Sequence, residues 1–336
     1  MRQVFPVRQG HPAWAVLGPR AVTAAWGGAA FDTKRNVLLV TGGGHGDYGG
    51  NEVYEFSLAT MQWRRATEPS RMREVEAGRF VIDDSEAPVS SHTYGGLVYL
   101  PNVDRMFKFG GSYYRSGTSY DKHAYLYDVQ RRTWARRAAA PRAVLSPAAD
   151  YDPRTGHVVI ATNTGLLSYD PVSDAWKAWP TRDGDLLINV AALDLETRRF
   201  VMISHQRGTL FYDLEDVGPR RRAPLKGSAD WGSRAGLAYH PPSRRLVLWE
   251  GGREVWTVDS RTWEACKFSK PDGPAPVATD AQGRAKTAGI YTRWRYVPGL
   301  DVFVAYNDSS DNAWFYKLPH NSTDGGRGKT GEGACR

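Results

Sequence analysis

The sequence of 336 residues predicts an all-β propeller of six small sheets, and three observations support that prediction. The chain contains 12 Trp, 17 Tyr, 35 Gly and 20 Pro, a composition typical of many short strands joined by tight turns. No segment shows the 3.6-residue apolar period of a long amphipathic helix. A unit of four predicted strands recurs along nearly the whole chain, as expected of propeller blades.

The first copy of the repeat shows all of its features. It starts at Ala29, has Gly42 and Gly43 after its second strand, Tyr54 in its third strand and Trp63 in its fourth. Five further copies start at Tyr94, Ala148, Val190, Gly236 and Ile290. Their second strands, aligned with that of the first copy, fall at Val37, Met106, His157, Arg199, Arg245 and Val302, at spacings of 69, 51, 42, 46 and 57 residues. These spacings bracket the roughly 40 to 50 residues of a four-stranded blade, with extra loop in the longer copies.

The two ends of the chain are predicted to meet in one blade. The sixth copy stops after its third strand at Leu318 and Pro319, whereas the segment from Gly10, which contains Trp14, has the pattern of a fourth strand. We therefore expect the N-terminal strand to complete the last blade and close the ring, which removes exposed sheet edges. Residues 1–320 then form one domain and 321–336 a Gly-rich tail. Seven blades would require a further blade within a long insertion.

The Gly-Gly, Tyr-Asp and Trp pattern, as at Gly42 and Gly43, at Tyr127 and Asp128 and at Trp63, resembles the kelch repeat and the propeller domain of the galactose oxidase superfamily. The resemblance implies a kelch-type β-propeller and leaves the activity open, because one scaffold carries many functions. The third and fourth copies lack the double Gly. The separate domains and the copper-ligand pattern of galactose oxidase are not evident, so its oxidase chemistry is not implied.

The charge balance favours anionic partners. The chain has 44 Lys and Arg against 36 Asp and Glu, a net charge of +8, which assists encounter with anions. No long basic run or recognition motif is present, so nucleic acid ranks below acidic polysaccharide and protein as a partner. The segment Met1–Gly10 lacks the apolar region of a signal peptide, and no stretch approaches the roughly 18 apolar residues of a membrane span. We expect a soluble chain with no export signal of its own and no membrane partner.

Candidate site residues follow from propeller geometry. The loops that lead into the inner strands share one face with the loops that join second to third strands. His45 lies in a Gly-rich loop of this kind, where the backbone can bring an imidazole close to a ligand. The predicted catalytic residues are His45, His92, Tyr94, His205, Tyr291 and Arg293. The predicted substrate-binding residues are Tyr48, Asn51, Tyr113, Tyr114, Asn189, Trp231, Arg234, Arg295 and Asn307.

Structural roles are the alternatives for these residues. His45 can cap carbonyl groups of its own turn, His92 can hydrogen-bond between blades, and His205 fits a solvated turn. Arg293 and Arg295 alternate along one predicted inner strand, where they can bind a carboxylate or sulfate or form salt bridges between blades. No His-x-His, His-Glu-x-x-His or Cys-His pattern indicates a metal, and we expect no metal or other cofactor.

Two functions fit these residue types. The first is a lyase that cleaves an acidic, uronate-containing polysaccharide by β-elimination, with His, Tyr and Arg as base, acid and carboxylate partner. This hypothesis rests on analogy with propeller lyases of the ulvan and oligogalacturonate type, which use such residues. The alternative is a non-catalytic kelch-type module that binds a glycan or a protein, as part of a larger assembly such as a virion or surface complex.

Overall fold

The computed structural model describes residues 1–6, 14–76, 79–114, 121–179, 181, 187–204, 207–227, 231–269, 274–283 and 285–319. Within these ranges the strands form six small antiparallel sheets and one separate two-stranded hairpin. The innermost strands of successive sheets pack against one another, and those of the first and sixth sheets also meet, so the sheets form a closed ring. This confirms the predicted all-β propeller of six blades. The predicted tail, 321–336, lies outside the described residues.

Three blades and the hairpin precede residue 180. Blade one consists of β1 (Ala30–Asp32), β2 (Val37–Val40), β3 (Tyr54–Ser57) and β4 (Gln62–Arg65). The hairpin consists of β5 (Met72–Glu76) and β6 (Arg79–Ile82). Blade two consists of β7 (Leu97–Leu100), β8 (Arg105–Phe109), β9 (His123–Asp128) and β10 (Thr133–Ala139). Blade three consists of β11 (Ala148–Asp152), β12 (His157–Thr162), β13 (Gly165–Asp170) and β14 (Ala175–Ala178).

The other three blades follow in the same order. Blade four consists of β15 (Ile188–Leu193), β16 (Arg199–Ser204), β17 (Gly208–Asp213) and β18 (Arg221–Arg222). Blade five consists of β19 (Gly236–His240), β20 (Arg245–Trp249), β21 (Glu254–Val258) and β22 (Ala265–Ser269). Blade six consists of β23 (Trp294–Val297), β24 (Val302–Ala305) and β25 (Trp314–Tyr316). The described helices are two 3-10 turns, Arg2–Val4 and Gly18–Arg20, and the short α-helix α1, Ala21–Ala24.

Aspartates at strand ends fix the hairpin turns within the blades. Asp32, at the end of β1, accepts the backbone N–H groups of Lys34 and Arg35 on Oδ1 at 2.9 and 3.1 Å. Asp128 and Asp259, at the ends of third strands, accept equivalent backbone bonds. An aspartate that bonds to the backbone two and three residues ahead stabilises a tight turn, which explains why Tyr-Asp recurs in the sequence.

The recurrent tryptophans pack between neighbouring blades. The ring of Trp176, in blade three, lies 4.8 Å from that of Phe109 in blade two. The ring of Trp63, in blade one, lies 4.7 Å from that of Tyr306, which follows β24 of blade six. Each large ring therefore removes apolar surface of two blades from water at once, and this is why the repeat carries Trp in its fourth strand.

The predicted closing strand of blade six is not seen among the described residues. Blade six has three strands in the described part of the chain, and residues 1–6 and 14–29 contribute no strand to it. Trp14, the expected marker of a closing strand, instead packs edge-on against Tyr48 of blade one at 6.0 Å. Residues 10–13 of the predicted strand lie outside the described residues.

Arg293 links the last blade to the first. Its side chain is fully buried, and burial lowers its pKa to about 10. Its five N–H groups donate to five protein acceptors, namely the carbonyl oxygens of Gly27 (2.9 Å), Tyr306 (3.1 Å), Asn307 and Gly289 and the hydroxyl of Thr287 (2.7 Å). Since Gly27 precedes β1 and the other acceptors flank blade six, one side chain bonds the two ends of the ring together.

The segment that leads into blade one is hydrogen-bonded to the segments that lead into both neighbouring blades, two and six. Gly28 donates its backbone N–H to Thr93 Oγ1 at 2.8 Å, before blade two. Ala29 donates its backbone N–H to Thr292 Oγ1 at 2.9 Å, before blade six. The described part of the N-terminal segment thus joins the ring through hydrogen bonds at the channel. No helix in the described ranges is long and apolar enough to cross a membrane.

We expect Arg293→Met to lower the free energy of unfolding by more than about 4 kcal/mol, because several buried acceptors lose their donors at about 1–3 kcal/mol each. Denaturant titration followed by tryptophan fluorescence measures the change. Arg131→Met, at a side chain that is 79% exposed, is the matched control and should change stability by less than about 0.5 kcal/mol. Equal stability of both variants would contradict this role of Arg293 in ring closure.

Candidate functional site

The loops leading into the inner strands and the loops joining second to third strands meet on one face of the propeller, which we call the upper face. Gly43 donates its backbone N–H to Ser91 O at 3.2 Å, and Gly44 donates to Ser90 Oγ at 3.0 Å. His92 donates its backbone N–H to Ser112 O at 2.9 Å. The β2–β3 loop of blade one therefore lies directly against the segment that leads into blade two.

Six side chains come together on this face at the mouth of the central channel. We call them the mouth cluster, and they are Trp26, His45, Asp47, His92, Tyr94 and Tyr291. His92 Nε2 lies 3.0 Å from Asp47 Oδ2, within hydrogen-bond distance. The His92 ring has its centroid 4.8 Å from that of Trp26, 5.7 Å from that of His45 and 6.0 Å from that of Tyr94. Tyr94 in turn lies 5.7 Å, edge to face, from Tyr291.

Unusual backbone geometry is concentrated in this cluster. Trp26, His45, Tyr94 and Tyr291 have φ angles of 48°, 46°, 44° and 51°. The other described non-glycine residues with positive φ, such as Asn36, lie in hairpin turns within blades. A bulky residue in the left-handed region costs on the order of 1–3 kcal/mol and persists only where the surroundings enforce it. Strain of this kind is typical of functional sites.

The Gly-rich loop brings His45 and Asp47 to His92. A Cβ on Gly44, which has φ of +48°, would lie 2.3 Å from the backbone nitrogen of His92, so only glycine permits this approach. Asp47 O accepts backbone N–H groups from Leu17 and Gly18 at 3.1 and 3.2 Å. The N-terminal segment therefore holds the residue that orients His92.

The two histidines have different environments. His45 is exposed, and its Nδ1 lies 3.1 Å from Ser112 Oγ. His92 is only 4% exposed and lies beneath it, with Asp47 as its partner. A carboxylate on Nε2 orients the ring and fixes the tautomer of its neutral form. The pair can therefore support a proton transfer made by the exposed imidazole.

Tyr291 and Arg234 add a buried hydroxyl group and an exposed cation to the mouth. Burial raises the pKa of Tyr291, and the charge of the neighbouring Tyr94 hydroxyl, once ionised, acts in the same direction. The positive charges of Arg293 and Arg234 oppose this rise. The Tyr291 hydroxyl, which donates to Ala288 O at 3.2 Å, is therefore protonated at neutral pH. Arg234 is exposed, so its guanidinium is available to an anionic ligand.

Several predicted substrate-binding residues are buried parts of the framework. The Tyr48 hydroxyl donates to Glu52 Oε1 at 2.9 Å. Asn51 Nδ2 donates to Ser70 Oγ and Pro88 O, both at 3.0 Å. These contacts hold the Gly-rich loop in place from below, and both side chains are less than 5% exposed.

Two further predicted residues, Tyr114 and Asn307, are also buried. Tyr114 packs against Phe80 of the β5–β6 hairpin, with ring centroids 5.7 Å apart. Asn307 Nδ2 donates to Val277 O at 3.0 Å, and the Asn307 carbonyl accepts from Arg293. Arg293, predicted to be catalytic, uses all five donors within the protein. Arg293 therefore stabilises the backbone around the mouth cluster.

The remaining predicted residues lie apart from the mouth cluster or outside the described part of the chain. Trp231 donates from Nε1 to Thr209 Oγ1 at 3.1 Å, between blades four and five. Tyr113 is half-buried and pairs through its backbone with Ser91. Arg295 lies deeper in the channel, away from Arg293. His205 lies outside the described residues, as does the side chain of Asn189.

The residues predicted to be catalytic or substrate-binding did not include Trp26, Asp47 or Lys108. Lys108, 4% exposed, donates from Nζ to Ser91 Oγ at 2.8 Å, and burial lowers its pKa to about 8. A lysine within the apolar run of β8 is the signal that could have identified it, because lysine is seldom buried without a specific partner. Trp26 is followed by two glycines, a pattern that indicates close approach of two backbone segments. This is a weaker signal of a site residue than the buried lysine.

The described residues contain no group of three or more His, Cys, Asp and Glu side chains arranged to hold a metal ion. Comparison with models of known protein families and with curated proteins gives no match to this chain. The site is therefore interpreted from its own geometry.

We expect Lys108 to contribute a rise of about 1 kcal/mol to the free energy of unfolding between about pH 8 and 9, below the range in which the tyrosines of the unfolded chain ionise. Its pKa is about 8 in the folded protein against an ordinary 10.5, so across this window the unfolded chain binds the additional proton and stability increases with pH. Denaturant titrations across the window measure the slope.

Lys108→Met should remove this rise, since the titrating group is gone. Lys34→Met, at an exposed lysine of the β1–β2 turn, should keep it. The same slope in Lys108→Met as in the wild type would show that another group produces the pH dependence.

Proposed function

We propose that this chain is a kelch-type propeller whose mouth cluster cleaves an acidic, uronate-containing polysaccharide by β-elimination. The observation that carries the proposal is the convergence of an exposed imidazole, His45, with the His92–Asp47 pair and two tyrosines. β-Elimination needs a base, an acid and a cation beside the carboxylate, and the mouth supplies each of these groups.

The proposed roles follow from exposure and hydrogen bonding. His45 is exposed, and with its Nδ1–H donated to Ser112 Oγ the neutral ring presents the lone pair of Nε2 as the base. Tyr94 is the acid, and Arg234 binds the carboxylate. His92 and Asp47 act as positioning residues that stabilise the imidazolium formed on His45, whose ring centroid is 5.7 Å from that of His92.

The reaction balances without a further reactant. His45 removes the proton from the ring carbon next to the carboxylate, and that electron pair forms a double bond to the adjacent ring carbon. The glycosidic carbon–oxygen bond at this second carbon breaks, and the leaving oxygen takes the Tyr94 proton. Proton exchange with water restores both side chains. The fragment on the reducing side of the cleaved bond carries an unsaturated uronide at its new non-reducing end. The other fragment carries a free hydroxyl group at its new reducing end.

We expect the wild-type protein to generate unsaturated uronide ends, detected by their ultraviolet absorbance, from at least one member of a panel of polyuronates and sulfated uronate glycans. His45→Gln should lower the rate at least about 100-fold, because a positioned general base contributes at least that factor. His157→Gln, at a histidine of β12 in blade three, should leave the rate unchanged. A panel without any absorbance increase, or a His45→Gln variant of full activity, would contradict the lyase proposal.

A non-catalytic binding module is the second candidate, and the exposure of Trp26 favours it. This ring is 40% exposed at the mouth, and an exposed aromatic face can stack on a sugar ring or a protein side chain. If polyuronate binds without product, and Trp26→Ala abolishes binding while His45→Gln does not, the binding function is the correct one. Heparin and DNA in the same titration separate glycan recognition from general attraction to anions.

A further inference from the structure

The central channel also opens on the face opposite the mouth cluster, where it widens into what we call the lower cavity. Its volume is about 350 Å³, and the innermost strands of all six blades contribute to its lining. This volume is in the range of small-molecule sites. No residue of the mouth cluster lines it, so it is independent of the function proposed above.

The walls of the lower cavity are aromatic and fixed in position. Rings of Phe31, Tyr99 and Tyr296 line it. The Tyr99 hydroxyl donates to Asp104 at 2.5 Å, and the Tyr296 hydroxyl donates to Asp301 at 3.1 Å. Because these hydroxyls are bonded to turn aspartates, the apolar parts of the tyrosines remain as the surface that a ligand meets.

The lining also includes two charged groups held by the backbone. Arg295 donates from Nε and Nη2 to the carbonyl oxygens of Ala29 and Leu97 at 2.9 to 3.3 Å. Asp150 Oδ2 accepts the backbone N–H of Leu193 at 3.0 Å. Arg295 thus bonds to blades one and two, while Asp150 of blade three bonds to blade four, and neither side chain can move without losing these bonds.

A gap separates the two charges. Arg295 Nη1 and Asp150 Oδ1 are 3.9 Å apart, beyond hydrogen-bond distance, and Nη1 makes no hydrogen bond to a described residue. Oδ1 also accepts the backbone N–H of Tyr151 at 3.0 Å, and its second lone pair remains for a ligand. A group that accepts from Nη1 and donates to this lone pair would bridge the two charges. An anionic head group is repelled by Asp150 and a cationic one by Arg295, whereas a carboxamide carries the acceptor and the donor side by side without net charge.

We propose that the lower cavity is a binding site for a small neutral molecule with an aromatic body and a carboxamide head group. The body lies against the aromatic walls, the carboxamide oxygen accepts from Arg295 Nη1, and its N–H donates to Asp150 Oδ1. The site is formed in the absence of ligand, which limits the entropy lost on binding.

Titration of the full chain with benzamide, benzoate and benzylamine, followed by ligand-observed NMR, tests the site. Benzamide should bind at least about tenfold more tightly than either charged analogue, since each of these places a like charge against the pair. Equal affinity for all three, or binding of none at millimolar concentration, would overturn the proposal.

Two substitutions locate the binding. Leu195→Trp enlarges a lining side chain that is 38% exposed and should reduce benzamide affinity at least about tenfold by filling the cavity. Leu300→Trp is the matched control, because Leu300 is 55% exposed in the β23–β24 turn and does not line the cavity. Asp150→Asn should reverse the preference to benzoate, since Arg295 then has no opposing charge. Unchanged benzamide binding in Leu195→Trp would place the ligand elsewhere and refute the site.

Discussion

The buried guanidinium of Arg293 is the interaction on which the closed ring depends. In the described part of the chain the last blade has three strands, and a side chain joins this blade to the segment that leads into blade one. Arg293 does this with five hydrogen bonds that reach Gly27 on one side and Tyr306 and Asn307 on the other. Charge-assisted bonds to carbonyl oxygens are strong in a buried setting, and burial leaves the pKa of this group at about 10, so the bonds persist at neutral pH.

The same closure supports the strained residues of the mouth. Trp26 precedes Gly27 and accepts the Tyr94 backbone N–H at 2.8 Å, while Tyr291 lies two residues before Arg293. The residues with unfavourable φ are therefore next to the bonds that close the ring. Because those bonds fix the backbone on both sides, the cost of the left-handed conformations is offset by the framework. Function at the mouth and stability of the ring are coupled through this short segment.

The repeat predicted the blades correctly because each blade supplies its own turn aspartate and most blades, blade four excepted, supply an interblade tryptophan. Both residue types leave a local trace in the sequence. The convergence of His45, His92, Tyr94 and Tyr291 followed from propeller geometry alone. The structural role of Arg293 could not be predicted in the same way. Its alternation with Trp294 indicated only that the two side chains lie on opposite faces of the strand. The carbonyl groups of Gly27 and Tyr306, which surround the guanidinium, are not its neighbours in sequence. Of the closing strand expected from Gly10, residues 14–19 form no strand with blade six, and residues 10–13 lie outside the described residues. The aromatic pattern at Trp14 suits packing on Tyr48 as well as strand pairing.

The inner strands connect two chemically different ends of one channel. Arg293 and Arg295 are two residues apart, yet the first supports the strained, polar mouth and the second lies in the aromatic lower cavity beside Asp150. Alternate residues of a strand lie on the same face of its sheet, and Arg293 and Arg295 both bond toward blade one. A change of two positions therefore moves the side chain along the channel axis rather than around its wall. One strand of blade six can therefore serve both ends, and the ring that holds the mouth in place also holds the lower cavity open.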